Sequence, residues 1–239
     1  DVIIDSLVTL TIIQGTLVEF QGAYDITVNG TILAEGTAEY PIVFDSNHLG
    51  LGWHGIRYWL TPLASDSSKF VHCEFRNGYA PDAGGHPDNS GGAILAQGFG
   101  KVYISHCLFE DNTVYGEGGA IKLHEAGIVI EDSEFRNNHS YNSGGAIWSQ
   151  YSDITLKRNT FYANEASYAG GAIVLTNTTG TIVENITLVN NNAQWGGAFL
   201  FSGSIDTELK NCVIWGNTSP NGQIRLDSDV ADPSFSYCD

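Results

Sequence analysis

The sequence predicts an all-β chain wound as a single-stranded solenoid, a parallel β-helix with three short strands in each coil of ~26 residues. Two repeated motifs and the lack of helical spacing predict it. Gly-Gly-Ala-Ile, or Gly-Gly-Ala-Phe at the last site, begins at Gly91, Gly118, Gly144, Gly170 and Gly196, at intervals of 27, 26, 26 and 26. A second motif, an apolar residue followed three places later by Asn, interleaves with it. It runs Phe109…Asn112, Phe135…Asn138, Phe161…Asn164, Leu188…Asn191 and Ile214…Asn217, at intervals of 26, 26, 27 and 26. Two unrelated motifs locked to one period do not arise by chance. The stretches between them alternate apolar and polar residues and break at Gly, Asn and Ser, which is the period of a strand.

Taken in order, residues 1–70 form irregular opening coils. Leu10-Thr11-Ile12, Leu17-Val18-Glu19-Phe20, Ile26-Thr27-Val28, Thr31-Ile32-Leu33 and Pro41-Ile42-Val43-Phe44 read as strands between Gly or Asn turns. Trp53-His54-Gly55-Ile56 reads as a degenerate form of the later Gly-Gly-Ala-Ile corner. From Phe75 to Phe109 the interval is 34, and the surplus falls in an inserted loop at 78–90. Residues 91–226 are the regular coils, and 227–239 start a further, incomplete one. Within a regular coil, Ile128 and Ile130 face inward, then Ser133 and Phe135, then Ile147 and Ser149. About nine coils at ~4.8 Å each make a single rod of roughly 40–45 Å.

The repeated residues have physical reasons to recur. A double glycine supplies positive φ and leaves no side chain to strike the neighbouring coil. Phe75, Phe109, Phe135 and Phe161 stack as a column that Leu188 and Ile214 continue. Asn112, Asn138, Asn164, Asn191 and Asn217 sit at a turn, where each amide can bond backbone and the Asn of the adjacent coil, so they are expected to be buried and structural.

Composition narrows the function. Ten Lys and Arg against 27 Asp and Glu give a net charge of −17, which excludes a general nucleic-acid binder and disfavours anionic lipid. No stretch approaches the ~20 apolar residues of a membrane helix. Few lysines, many Asn, Thr, Ser and Tyr, and the acidity fit a secreted or cell-surface protein. The chain has no Met and opens on Asp1-Val2-Ile3-Ile4, as a mature or cut chain would.

Gly-Gly-Ala-Ile alternating with Phe-x-x-Asn over residues 70–226 resembles the repeats of the chlamydial polymorphic outer-membrane proteins, and of secreted bacterial proteins of the pectate-lyase-like β-helix type. The resemblance implies a right-handed parallel β-helix at the cell surface, with adhesion as its commonest role. These residues include no C-terminal strands suited to an outer-membrane barrel, so no direct membrane insertion is expected of them. Strand-like sequence at both ends, including Ser236-Tyr237-Cys238-Asp239, is expected to stack end to end on a second copy or on neighbouring domains of a longer surface protein.

Several residues are candidates for chemistry. His106, Asp132 and Arg158 follow one another on consecutive coils, beside His72, Asn185 and Asn211. They suit either a carbohydrate-active lyase or hydrolase or a solvated ion-pair ladder. Ser105, Glu131, Lys157, Glu184 and Lys210 form a parallel column of alternating charge. Asp82, Asp88 and Asn89, with His86, could hold Ca²⁺ or simply make a turn; no other cofactor is expected. Leu95, Trp148, Val174 and Leu200 would face outward from the Gly-Gly-Ala sheet beside Tyr115, Tyr141, Tyr168 and Trp195. They form either an open stripe for a host or matrix glycan or protein, or a face covered by loops. Cys73 and Cys107, and Cys212 and Cys238, lie in one inward column as stacked thiols or as disulfides. The function expected is a non-catalytic adhesin, stalk or fibre module. The alternative is a carbohydrate-active enzyme or carbohydrate-binding module.

Overall fold

The computed structural model describes residues 1–46, 52–81, 89–204, 206–228 and 231–239. Every strand pairing is parallel and joins a strand to its equivalent one coil away. Among the described residues the strands build sheets of nine, nine, eight and five members. One coil runs through Ile121–His124 in the first sheet, Gly127–Glu131 in the second, Glu134–Arg136 in the third and His139–Ser140 in a short fourth. Five coils therefore carry a short fourth strand beyond the three expected, and the remaining described coils have three. The fourth is often only two residues long, too short for alternation to betray it. Among the described residues eight coils contribute a strand to each of the first three sheets, and Ile224–Leu226 and Ser234–Ser236 begin a ninth. Ile56, Ile94, Ile121, Ile147, Ile173 and Phe199 are in register, so the Trp53-His54-Gly55-Ile56 segment occupies the corner position of the regular coils.

Single residues turn the chain. In one coil the bends fall at Glu125, Asp132, Asn137 and Gly144, with φ of 49°, 50°, 55° and 70°; in the next they fall at Tyr151, Arg158, Ala163 and Gly170. One left-handed residue between two extended stretches swings the strand direction and rotates the following amide away from the sheet ladder. That amide finds a side chain of the next coil instead. Ala126 N donates to Ser152 Oγ (3.1 Å), Ser133 N to Asn159 Oδ1 (2.9 Å) and Asn138 N to Asn164 Oδ1 (3.1 Å). Ala163 adopts φ 53° in a column whose other members include Asp111, Asn137 and Asn190. Ala163→Asn is therefore expected to stabilise by about 1 kcal/mol, raising Tm by about 2–4 °C. A lowered Tm in calorimetry would refute this account of the bends.

Inside the tube the coil spacing dictates ring spacing. Phe44, Phe75, Phe109, Phe135 and Phe161 stack at 5.0, 4.7, 4.6 and 4.7 Å with interplanar angles of 2–9°. Trp53 closes the stack at one end, 4.5 Å from Phe20. The asparagines form a continuous buried ladder. Nδ2 donates to the next Oδ1 from Asn112 to Asn138 (2.9 Å), Asn138 to Asn164 (2.9 Å), Asn164 to Asn191 (3.0 Å) and Asn191 to Asn217 (2.8 Å). Gln223 Oε1 terminates it, 3.1 Å from Asn217 Nδ2.

The two glycines of each pair divide the two expected tasks between them. Only the first is left-handed. The second has ordinary φ but no room: a Cβ on Gly119 or Gly145 would fall on the carbonyl oxygen of Gly145 or Gly171 one coil on.

Candidate functional site

The bend between the second and third sheets is one residue long at His72, His106, Asp132 and Arg158, each with φ of 48–56°. One coil before His72 the same bend lengthens to residues 36–41, between Thr31–Glu35 and Ile42–Ser46. Thr37, Ala38 and Pro41 from that segment, together with the four bend residues, line a groove of about 480 Å³. The solenoid thus brings the predicted His106, Asp132 and Arg158 together, and the longer bend walls them.

Their geometry is that of a ladder. Arg158 grips Asp132 with two hydrogen bonds, Nε to Oδ1 at 2.7 Å and Nη2 to Oδ2 at 2.8 Å. The same guanidinium lies 3.5 Å from Glu131 Oε2. The His72 and His106 rings sit 4.7 Å apart, and His106 Nδ1 is 2.7 Å from Ser105 Oγ. In the column of alternating charge, Lys157 pairs with Glu184 at 3.7 Å.

The Arg158 hydrogen bonds hold Asp132 below the ordinary aspartate range. Burial, and then the His106 ring, lower the His72 imidazole pKa. At neutral pH the column therefore presents an ionised Asp132, and neither shift stores the proton a general acid needs. Burial raises Asp111, but that residue turns the following bend and does not line the groove.

Both shifts make acid destabilising. A lowered Asp132 pKa adds stability above the unfolded value of about 3.9, and this is lost as pH falls through the folded value. A lowered His72 pKa works against the fold once pH drops below about 6.5. Urea midpoints of the native chain and Asp132→Asn should differ at pH 7 and converge in strong acid. A constant difference would show that the pair carries no pH dependence.

The outer face of the Gly-Gly-Ala sheet is closed, the second of the two expected alternatives. Leu95, Val174 and Leu200 are only 3%, 2% and 7% exposed. Val174 and Leu200 pack with Ala169 in a second small core, against which the half-buried Trp148 and Trp195 lie. Ala169 and Trp195, just before the glycine pairs at Gly170 and Gly196, thus lie over this face, and a Cβ on Gly91 would sit 3.2 Å from Leu95 Cβ. Lys122, in the same column, is buried with Nζ 2.9 Å from Glu117 Oε2 and 5.0 Å from the Trp148 ring centroid. Tyr115, Tyr141 and Tyr168 remain exposed along the fourth sheet, and the first two stack at 4.6 Å.

All four cysteines are free thiols. Cys73 N donates to Cys107 Sγ at 3.4 Å, as Cys107 N donates to Ser133 Oγ at 3.1 Å, so the Cys107 thiol takes the place of a bend hydroxyl. Its hydrogen bond with Cys107, and then burial, push the Cys73 thiol pKa up; burial chiefly raises Cys212, to about 11. Cys238 is half-buried.

Asp82, His86 and Asp88 of the calcium expectation lie outside the described residues, while Asn89 Oδ1 accepts a hydrogen bond from Ser90 Oγ (3.2 Å). Among the described residues no three His, Cys, Asp or Glu side chains are placed to share a metal, and no helix is long and apolar enough to cross a membrane.

Sequence reasoning located the bend columns but missed that they are left-handed. His, Arg, Tyr and Glu give no local sign of that conformation. A family model described as a right handed beta helix region matches residues 54–238. No curated protein and no solved structure matches the chain.

Proposed function

We propose that this chain, which belongs to the right-handed β-helix family, serves as a non-catalytic rod at a cell surface or in the extracellular space, meeting its partner through its sides. The observation that carries this reading is the bidentate Arg158–Asp132 pair. It commits the central carboxylate of the groove to an ion pair along the rod axis and keeps it ionised. A retaining or inverting glycosidase needs one carboxyl group that keeps its proton near neutral pH. The resemblance of the repeats to those of surface proteins supports adhesion as the role, and the acidic, lysine-poor composition supports secretion.

A carbohydrate-active enzyme is the second reading, favoured by the walled groove with two adjacent imidazoles. Incubation with neutral and acidic polysaccharides separates the two, followed by reducing ends and by the absorbance of unsaturated uronates. The rod reading expects no turnover with any substrate. Depolymerisation abolished by His106→Ala or Asp132→Asn would overturn it in favour of the enzyme.

A further inference from the structure

A second depression lies at the opposite edge of the second sheet, at the bend from the first sheet. There the left-handed column reads Leu60, Gly98, Glu125, Tyr151, Asn177 and Gly203. Gly and Asn hold this conformation at least cost, yet two consecutive coils place Glu and Tyr in it. Neither side chain repays the strain within the protein. Among the described residues the Glu125 carboxylate has no hydrogen-bond or ion-pair partner. Tyr151 is 54% exposed, and among the described residues its one aromatic contact is a T-shaped one with His124, ring centroids 6.0 Å apart.

Glu125 and Tyr151 line a trough of about 520 Å³ with Asp153, Thr155, Gly100 and Gly127. The two glycines come from consecutive coils and bring bare backbone to it; a Cβ on Gly127 would lie 3.2 Å from Gly100 O. Asp153 is also without a cationic partner among the described residues, whereas the outward carboxylates of Glu110, Asp132 and Glu184 all have one. The lysine beside the trough does not neutralise it. Lys101 Nζ turns away to Leu63 O and Ser65 O, at 2.7 and 3.0 Å.

We propose that this trough receives a basic segment of a partner polypeptide, with an ammonium or guanidinium group set between Glu125 and Asp153 and its stem or plane laid on the Tyr151 ring. An aromatic face beside two uncompensated carboxylates is complementary to an organic cation. The net charge of −17 steers such a partner toward the surface without choosing the spot. A neutral saccharide would also stack on Tyr151 but would leave both carboxylates uncompensated. The site stands whether or not the groove across the sheet is catalytic.

The test titrates the full chain with a fluorescent tetra-arginine peptide and, separately, with a neutral hexasaccharide. Saturable peptide binding is expected, weakened about tenfold by Glu125→Gln/Asp153→Asn and several-fold by Tyr151→Asn. Tyr151→Asn should fold, because Asn177 occupies the same bend one coil on; an unchanged or higher melting temperature confirms that. Glu39→Gln/Asp232→Asn removes the same charge from exposed positions outside the trough lining and should alter binding less than twofold. Equal weakening by that remote pair would reduce the effect to a diffuse acidic surface and overturn the site. Hexasaccharide binding that Tyr151→Asn abolishes, with peptide binding untouched, would overturn it in favour of a sugar.

Discussion

Asn164→Ala is expected to destabilise the protein by about 4 kcal/mol, a large part of the 5–15 kcal/mol typical of a folded domain. Asn164 makes hydrogen bonds to both neighbouring coils. Its Oδ1 accepts from the backbone and side-chain nitrogens of Asn138 at 3.1 and 2.9 Å. Its Nδ2 donates to Phe135 O and Asn191 Oδ1, both at 3.0 Å. Truncation orphans the Asn138 N–H and one hydrogen of Asn138 Nδ2 in a turn closed to solvent, at about 1–3 kcal/mol each, and leaves a small void besides. Urea unfolding should show a lower midpoint at unchanged slope. A loss below about 1 kcal/mol would mean that water enters the turn and replaces the amide.

Gly145→Ala is expected to cost about 3 kcal/mol or more, for a steric reason. Gly145 has ordinary φ, so alanine meets no strain in its own dihedrals. Its Cβ, however, would fall on Gly171 O and lie 2.6 Å from Glu165 O, and neither backbone atom can move without shifting a coil. Gly180→Ala is the contrast. That glycine is left-handed at φ 63° with nothing within 4 Å of its Cβ, so it should lose only the conformational preference, about 1 kcal/mol. If the two substitutions cost the same, close approach between coils is not what selects the second glycine.

The periodic part of this fold was readable because each coil repeats the same physical demand. An inward Phe must stack on an inward Phe, and a turn amide must bond the amide above it, so Phe135 and Asn164 recur at coil spacing. The candidate sites were less readable. Alternation separates inward from outward residues, and so it placed Leu95, Val174 and Leu200 outside the tube. It could not show that residues just before the glycine pairs, such as Ala169 and Trp195, fold back over this face. The same limit hid the groove, whose wall depends on residues 36–41 overhanging a column that begins at His72.

From the sequence alone came the parallel solenoid, its period, its buried columns and the acidic, turn-rich surface. These follow from composition and spacing, and each coil states them again. Which outward residues reach solvent, which pair and which line a depression was decided only in three dimensions. Those outcomes depend on single left-handed residues such as Tyr151 and Arg158, and on contacts between coils about 26 residues apart. No local preference of Tyr or Arg encodes that conformation; the packed coils on either side impose it.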